Sequence, residues 1–184
     1  MIGQMAIHAQ EGQDKRLAGA IAMTLLLTTL GMLFASLFMG LAVFRTNSDT
    51  WPPMGLPRVP WMFPALSTLC IAASSWCYWR LEKTLRPLAW WGALAFGALF
   101  MLSQCLVWKQ MHGMGLYASS GIFASLIYAF TWIHAGHIAV GLLALAWAYP
   151  RRAGIPQSRL SNIGKFWHFL SVTWFLIYLA LFVF

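Results

Sequence analysis

Five long apolar stretches constrain the fold of this chain more than any other feature. They lie at residues 17–44, 61–79, 88–107, 117–148 and 166–184. Each can cross about 30 Å of hydrocarbon as a helix, which takes roughly 20 residues. Strands of a membrane barrel would alternate apolar and polar residues, and these stretches do not. The sequence predicts an all-α integral membrane protein with five transmembrane helices, preceded by a polar tail over residues 1–16.

Composition supports a membrane location. Apolar residues make up 60% of the chain and charged residues only 9%, whereas charged residues are about a quarter of an average soluble domain. Disorder is excluded as well, because disordered segments are low in hydrophobicity. The net charge of +8 would suit a nucleic-acid binder, but the basic residues fall in short loops between apolar stretches. That placement indicates membrane topology and no nucleic-acid partner.

The basic residues also predict the orientation. Cytoplasmic loops of membrane proteins carry an excess of Lys and Arg. With the N-terminus inside, nine of the 12 basic residues lie on the inner side: Lys15, Arg16, Arg80, Lys83, Arg86, Arg151, Arg152, Arg159 and Lys165. Only Arg45, Arg58 and Lys109 lie outside. We expect a cytoplasmic N-terminus and an external C-terminus.

The four acidic residues all lie outside the predicted spans. They are Glu11, Asp14, Asp49 and Glu82. Ionisable groups at mid-membrane are costly and usually mark an ion path, so the chain is not expected to carry protons or ions on its own. The sequence contains no nucleophile–base pair, phosphate-binding loop or zinc signature. No catalytic residue is predicted.

Histidines are the remaining candidates for chemistry. His134 and His137 share a face of the fourth predicted helix with Thr131 and Gly141. By the predicted boundaries, His137 lies about 18 Å from the inner end of its span and His168 about 3 Å from the start of its own. Ligands of one metal must lie within a few ångströms of each other. We therefore expect contacts between helices, with a small haem-binding membrane anchor as the alternative.

Five local sequence patterns occur in a defined order along the chain. They are Trp51-Pro52-Pro53-Met54-Gly55, Pro64-Ala65-Leu66-Ser67-Thr68, Gln104, His134-Ala135-Gly136-His137 with Gly141, and Trp167-His168-Phe169 with Trp174. Together they resemble the motifs of subunit III of haem-copper oxidases, the cytochrome c oxidase subunit 3 family. The match runs from about Arg16 to the end. The five spans resemble the short bacterial form, which lacks the first two helices of the seven-helix version.

The resemblance implies a non-catalytic subunit of a respiratory oxidase in the bacterial inner membrane. In that family, subunit III carries no haem or copper, which belong to partner subunits. It packs beside catalytic subunit I and holds phospholipid in a cleft between its helix bundles. Here we expect that cleft between a group formed by spans 17–44 and 61–79 and a group formed by the last three helices.

Three acids of the family are absent, which marks a divergent member. By alignment, Gly31, Val107 and Ser171 stand where the family has acidic residues. Their absence weakens the case for a proton-related role. A subunit-III-like protein associated with nitric oxide reductase or a quinol oxidase remains the alternative. We predict polar contacts between helices at Gln104, Thr131, His134, His137, His168 and Ser171.

Overall fold

The structure, a computed structural model, describes residues 2–48 and 61–183, and this part of the chain consists of helices joined by turns and short loops. The five helices are α1 (Ile2–Thr46), α2 (Met62–Thr84), α3 (Pro87–Gly113), α4 (Ile122–Ala148) and α5 (Gln157–Tyr178). A short 3-10 helix at Tyr149–Gly154 follows α4, and a π-helical turn at Leu179–Val183 continues α5. The all-α fold class is confirmed.

Four helices in this part of the chain are long and apolar enough to cross a membrane: α1 from Gln10, α3, α4, and α5 with its continuation to Val183. The remaining helix, α2, has 23 residues and is about 35 Å long. Serine and threonine recur along it, and Arg80, Glu82 and Lys83 occupy its last turns. These polar residues lower its hydropathy below that of the other four.

Several helix ends differ from the predicted spans. Helix α1 begins at Ile2. From that residue on, the expected tail over residues 1–16 is itself helical and continuous with the first predicted span. Helix α5 begins at Gln157, well before residue 166, because Pro156 fixes an extended backbone just ahead of it. Helix α4 begins only at Ile122, because Gly121 has φ +122°, a conformation that favours glycine and breaks the helix.

The predicted grouping of the helices into two and three is not confirmed. Helix α2 packs against α3 and α5, whereas α1 packs against α5 and α4. The reason is the two-residue connection between α2 and α3, since short loops join antiparallel neighbours. Leu85 makes that turn with φ 51°, and its N–H donates to the Leu81 carbonyl at 2.8 Å.

Large aromatic residues form the core where the helices meet. Trp167 and Trp174 of α5 are fully buried, together with Tyr78 of α2, Phe100 of α3 and Phe130 of α4. The outer surface carries many exposed apolar side chains, such as Leu88 and Leu143. An apolar exterior around a packed interior is expected for a protein surrounded by lipid, whose tails are as apolar as leucine.

Candidate functional site

Two polar stripes run along helix α2 and form hydrogen bonds with the two helices packed against it, α3 and α5. One consists of Ser67 and Ser74 and the other of Thr68 and Ser75, and each pair is separated by two helical turns. Residues at this spacing lie on the same side of a helix. The stripes place hydroxyl groups at the interfaces of α2 with α3 and with α5.

The first stripe binds α3. The Oγ atoms of Ser67 and Ser103 lie 2.6 Å apart, and Gln104 Nε2 donates to Ser67 Oγ at 2.8 Å. Two turns further along α2, Ser74 Oγ donates to the Ala93 carbonyl oxygen at 2.6 Å. All four polar side chains are buried. Buried hydroxyl and amide groups need such partners, because an unpaired polar group in an apolar medium costs free energy.

Two tryptophans of α5 donate to α2. Trp174 Nε1 donates to Thr68 Oγ1 at 3.0 Å, and Trp167 Nε1 donates to Ser74 Oγ at 3.2 Å. Both indoles are fully buried. Thr68 also donates to the carbonyl oxygen of Pro64 at 2.9 Å. Trp174, Thr68 and Pro64 therefore form one hydrogen-bonded chain.

His168 and Tyr78 add two more contacts between α2 and α5. His168 Nδ1 lies 2.6 Å from Ser75 Oγ, and Tyr78 Oη donates to the Leu160 carbonyl oxygen at 2.8 Å. The rings of Tyr78 and His168 meet edge to face with centroids 6.0 Å apart. His168 also lines a groove of about 380 Å³ together with Ser171 and Phe175.

The Trp167 ring is enclosed by glycines of two helices. A Cβ atom added at Gly141 of α4 would lie 2.7 Å from the Trp167 ring, closer than real Cβ atoms come to their neighbours. One added at Gly97 of α3 would lie 2.7 Å from Leu142 and 3.0 Å from the Trp167 ring. Gly141 leaves room for the indole, and Gly97 leaves room for Leu142 and the edge of the same indole.

His134 lies among rings instead of polar groups. It is fully buried, and its ring centroid is 5.9 Å from those of Phe34 and Phe100 and 5.4 Å from that of Trp174. Neither ring nitrogen has a hydrogen-bond partner among the described residues. The expected polar contact between helices is therefore not formed by His134 in this part of the chain.

The remaining predicted contact residues divide into two groups. Thr131 of α4 accepts a hydrogen bond from Trp108 Nε1 of α3 at 3.1 Å, which joins two helices. His137 Nδ1 is 2.7 Å from the Ile133 carbonyl oxygen, and Ser171 Oγ donates to the Trp167 carbonyl oxygen at 3.0 Å. Each of these last two bonds lies within a single helix, α4 for His137 and α5 for Ser171. Each residue is four positions from its partner and so faces the preceding turn.

Measured from the ends of the helices, His168 and His137 are similarly placed. Because α5 begins at Gln157, His168 lies about 17 Å from the start of its helix, and His137 lies about as far from the end of α4 at Ala148. The two side chains nevertheless have different neighbours, since His168 contacts Ser75 whereas His137 contacts Phe34. Among the described residues, no three His, Cys, Asp or Glu side chains are grouped so that they could hold a metal ion.

The first of the five local patterns lies outside the described residues. It consists of Trp51, Pro52, Pro53, Met54 and Gly55. Ser74, Ser103 and Tyr78 also form contacts between helices, although they were not among the predicted contact residues. The signal that could have found Ser74 is its two-turn spacing from Ser67, which repeats the motif position on the same face of α2.

No protein-family model matches this chain. Cytochrome c oxidase subunit 3 of the cyanobacterium Synechocystis sp. is 26% identical over 190 residues, which cover 96% of this chain and 79% of that protein. The chain is a divergent homologue of cytochrome c oxidase subunit 3. The buried contacts described above join residues of the local patterns that resemble the subunit 3 motifs: Thr68 with Trp174, and Gly141 with Trp167.

Other subunit 3 proteins show similar identity over less of their length. The protein of Mycosarcoma maydis is 24% identical over 72% of this chain, and that of Loxodonta africana is 25% identical over 83% of it. These matches cover 52% and 62% of the two relatives. The chain therefore spans about half to two thirds of these longer subunit 3 proteins, and most of the cyanobacterial one.

Proposed function

We propose that this chain is a non-catalytic subunit of a respiratory haem-copper terminal oxidase of the cytochrome c oxidase type. Such an enzyme reduces oxygen in aerobic electron transport, and its haem and copper belong to partner subunits. The observation that carries the proposal is the similarity to cytochrome c oxidase subunit 3 over 96% of the chain. The motif positions that pack together, Gly141 with Trp167 and Thr68 with Trp174, support it.

The contribution of the subunit is structural. Its interior hydroxyl, amide and indole groups are used to join helices, as in the Gln104–Ser67 and Trp174–Thr68 bonds. A rigid bundle of this kind can bury area against catalytic subunit I and limit the access of lipid and protons to it. Phospholipid in a cleft of the subunit belongs to the same proposal.

The proposal includes five membrane spans in the bacterial inner membrane. Helix α2 would be the fifth span, since 23 residues exceed the roughly 20 needed. The N-terminus would be cytoplasmic and the C-terminus external. At the end of α2 assigned to the cytoplasmic face, Lys83 Nζ lies 3.6 Å from the centre of the Trp79 ring. Paired basic and aromatic side chains are typical of the membrane–water interface.

Co-purification tests the proposed function directly. The full chain, carrying an affinity tag, is purified in mild detergent from the membranes in which it is made. We expect catalytic oxidase subunits to accompany it, with their haem absorption and with oxygen consumption driven by an electron donor. The isolated chain should be colourless. A Soret band from the isolated chain, or co-purification with a nitric oxide reductase instead, would contradict the proposal.

Substitution of His137 separates a structural from a haem-binding role. His137→Leu should lower the amount of partner subunit retained per chain, with an unchanged haem spectrum in the complex that remains. Val140→Leu is the matched control, since Val140 lies one turn away on α4 and is exposed. Loss of a haem band in His137→Leu, but not in Val140→Leu, would favour the haem-binding anchor.

A further inference from the structure

A cavity of about 230 Å³ opens between the end of α2 and the beginning of α3. Trp76, Arg80 and Thr84 line it from α2, at steps of four residues that place them on one face. Arg86 and Leu88 line it from the start of α3. The cavity therefore combines two guanidinium groups with an indole and an aliphatic side chain.

The positive charge in this cavity is not neutralised by the protein. Neither Arg80 nor Arg86 forms an ion pair with a carboxylate in the described part of the chain. Glu82, the acid nearest in sequence, lies on a different face of α2, where its carboxyl group packs against Gly164 of α5. An anion can therefore approach both guanidinium groups without competing with a carboxylate.

The arginine on α2 is held in place by an aromatic ring. The guanidinium carbon of Arg80 lies 4.6 Å from the centre of the Trp76 ring, within the range of a cation–π contact. This contact orders a long side chain before any ligand binds. The start of α3 beside Arg86 adds the positive end of a helix dipole, which favours an anion in the same place.

The apolar part of the cavity faces outward. Trp76 is 56% exposed and Leu88 is 82% exposed. Both residues lie near the ends of membrane-embedded helices, where lipid chains meet headgroups. An indole and a leucine below two arginines match a molecule with an anionic head and an apolar tail.

We propose that this cavity binds the headgroup of an anionic phospholipid. Its phosphate lies between the guanidinium groups of Arg80 and Arg86, and an acyl chain runs along Trp76 and Leu88. This site is separate from the cleft included under the proposed function. The proposal requires only that the helices lie in a membrane, so it does not depend on the oxidase role.

Native mass spectrometry of the purified full chain, with any retained partners, tests this site. The probes are phosphatidylglycerol and phosphatidylcholine, each titrated into the same detergent. We expect one phosphatidylglycerol molecule to bind more tightly than phosphatidylcholine does. Arg80→Gln and Arg86→Gln should each weaken phosphatidylglycerol binding by about fivefold, the effect of one basic residue at an anionic membrane surface.

A charge-matched control distinguishes a defined site from general attraction. The double variant Arg16→Gln/Lys83→Gln removes the same net charge as the double variant Arg80→Gln/Arg86→Gln. Neither Arg16 nor Lys83 lines the cavity. Ala89→Phe fills the cavity and leaves the charge unchanged, so it should abolish the preference. Every variant is first checked for unchanged helical content by circular dichroism.

Three outcomes would overturn the proposal. One is an equal loss in Arg80→Gln/Arg86→Gln and in the charge-matched control. Another is full phosphatidylglycerol binding by Ala89→Phe. The last is displacement of the lipid by millimolar inorganic phosphate, which would show an anion site that does not need the apolar part of a lipid.

Discussion

The indole of Trp167 on α5 occupies the space that a side chain at Gly141 on α4 would need. A Cβ atom at Gly141 would lie 2.7 Å from Cζ3 and 2.9 Å from Cε3 of the Trp167 ring. Phe166 stands on the same side, 3.3 Å from the same point. The glycine after the histidine pair and the tryptophan before His168 are thus two halves of one helix contact.

Substitution of this glycine should destabilise the bundle. Gly141→Ala forces the buried indole to shift, and overpacking of this kind costs about 1–3 kcal/mol. The measurement is the free energy of unfolding in mixed micelles, with the midpoint of thermal unfolding as a second reading.

Gly136→Ala on the same helix is the matched control. A Cβ at Gly136 would meet nothing within 4 Å, and alanine favours helix more than glycine does. We expect this variant to be as stable as the parent chain or slightly more stable. Equal stability of Gly141→Ala would show that Trp167 does not fill this space.

The bond between Trp174 and Thr68 should show energetic coupling. Thr68→Val removes the hydroxyl acceptor and leaves the buried indole N–H of Trp174 unpaired. Hydrogen bonds between transmembrane helices average about 0.6 kcal/mol and reach about 1.7 kcal/mol. A double-mutant cycle with Trp174→Phe isolates this energy, since it cancels the loss of the Thr68 bond to Pro64.

Thr28→Val provides the comparison for the cycle. The Thr28 hydroxyl donates to the Thr24 carbonyl oxygen within α1 and is exposed. Combined with Trp174→Phe, it should give additive losses. A coupling energy near zero for Thr68 and Trp174 would mean that this hydrogen bond contributes nothing to stability.

The same substitution should be tolerated at His134 and destabilising at His168. His134→Phe should change the free energy of unfolding by less than about 1 kcal/mol, because replacing an unpaired buried polar group with an apolar one is nearly neutral or stabilising. His168→Phe removes the contact with Ser75 and should destabilise by about 1 kcal/mol. Both are measured by unfolding in mixed micelles. A large loss in His134→Phe would reveal a polar partner for that ring in the assembled protein.

Stability should depend on pH through Glu82, which lies beyond residues 61–79, the membrane span predicted within α2. Burial raises the pKa of this carboxyl group above its usual 4.5, and the charge of Lys165 offsets part of the effect. The folded state then holds a proton that the unfolded state has released. Stability should fall as the pH rises from about 4.5 through the higher pKa of the folded state.

Glu82→Gln should flatten this part of the pH profile. The measurement is the thermal midpoint of the parent chain and of the variant at a series of pH values. Asp14→Asn is the control, because Asp14 is exposed on α1, and it should leave the fall in stability in place. A rise in the stability of the parent chain over the same pH range would contradict the prediction.

Hydropathy predicted the fold class because a helix in lipid must satisfy its backbone internally, whatever its neighbours are. It could not predict the ends of the helices. Gly121 and Pro156 set the beginnings of α4 and α5 through backbone geometry, while the apolar stretches continue or stop elsewhere. His168 therefore lies farther from the start of its helix than from the start of the predicted span.

The interior contacts were harder to foresee. Gln104 and His168 stood out as polar residues, but their partners are serines, which look like ordinary small residues in a membrane helix. Ser67 and Ser75 gain their roles only from the packing of α2 between α3 and α5. His134 shows the converse, since a polar residue in a motif lies among aromatic rings.

The two-residue turn between α2 and α3 bears on how the chain reaches its place in the bilayer. Ser74 Oγ is bonded to the Ala93 carbonyl oxygen across this hairpin, so its polar atom is shielded only once α3 is present. We expect α2, the least apolar of the five helices, to leave the translocation channel together with α3 as a pair. Separating the two with a long flexible insertion after Leu85 should leave α2 stranded in the aqueous compartment during biosynthesis.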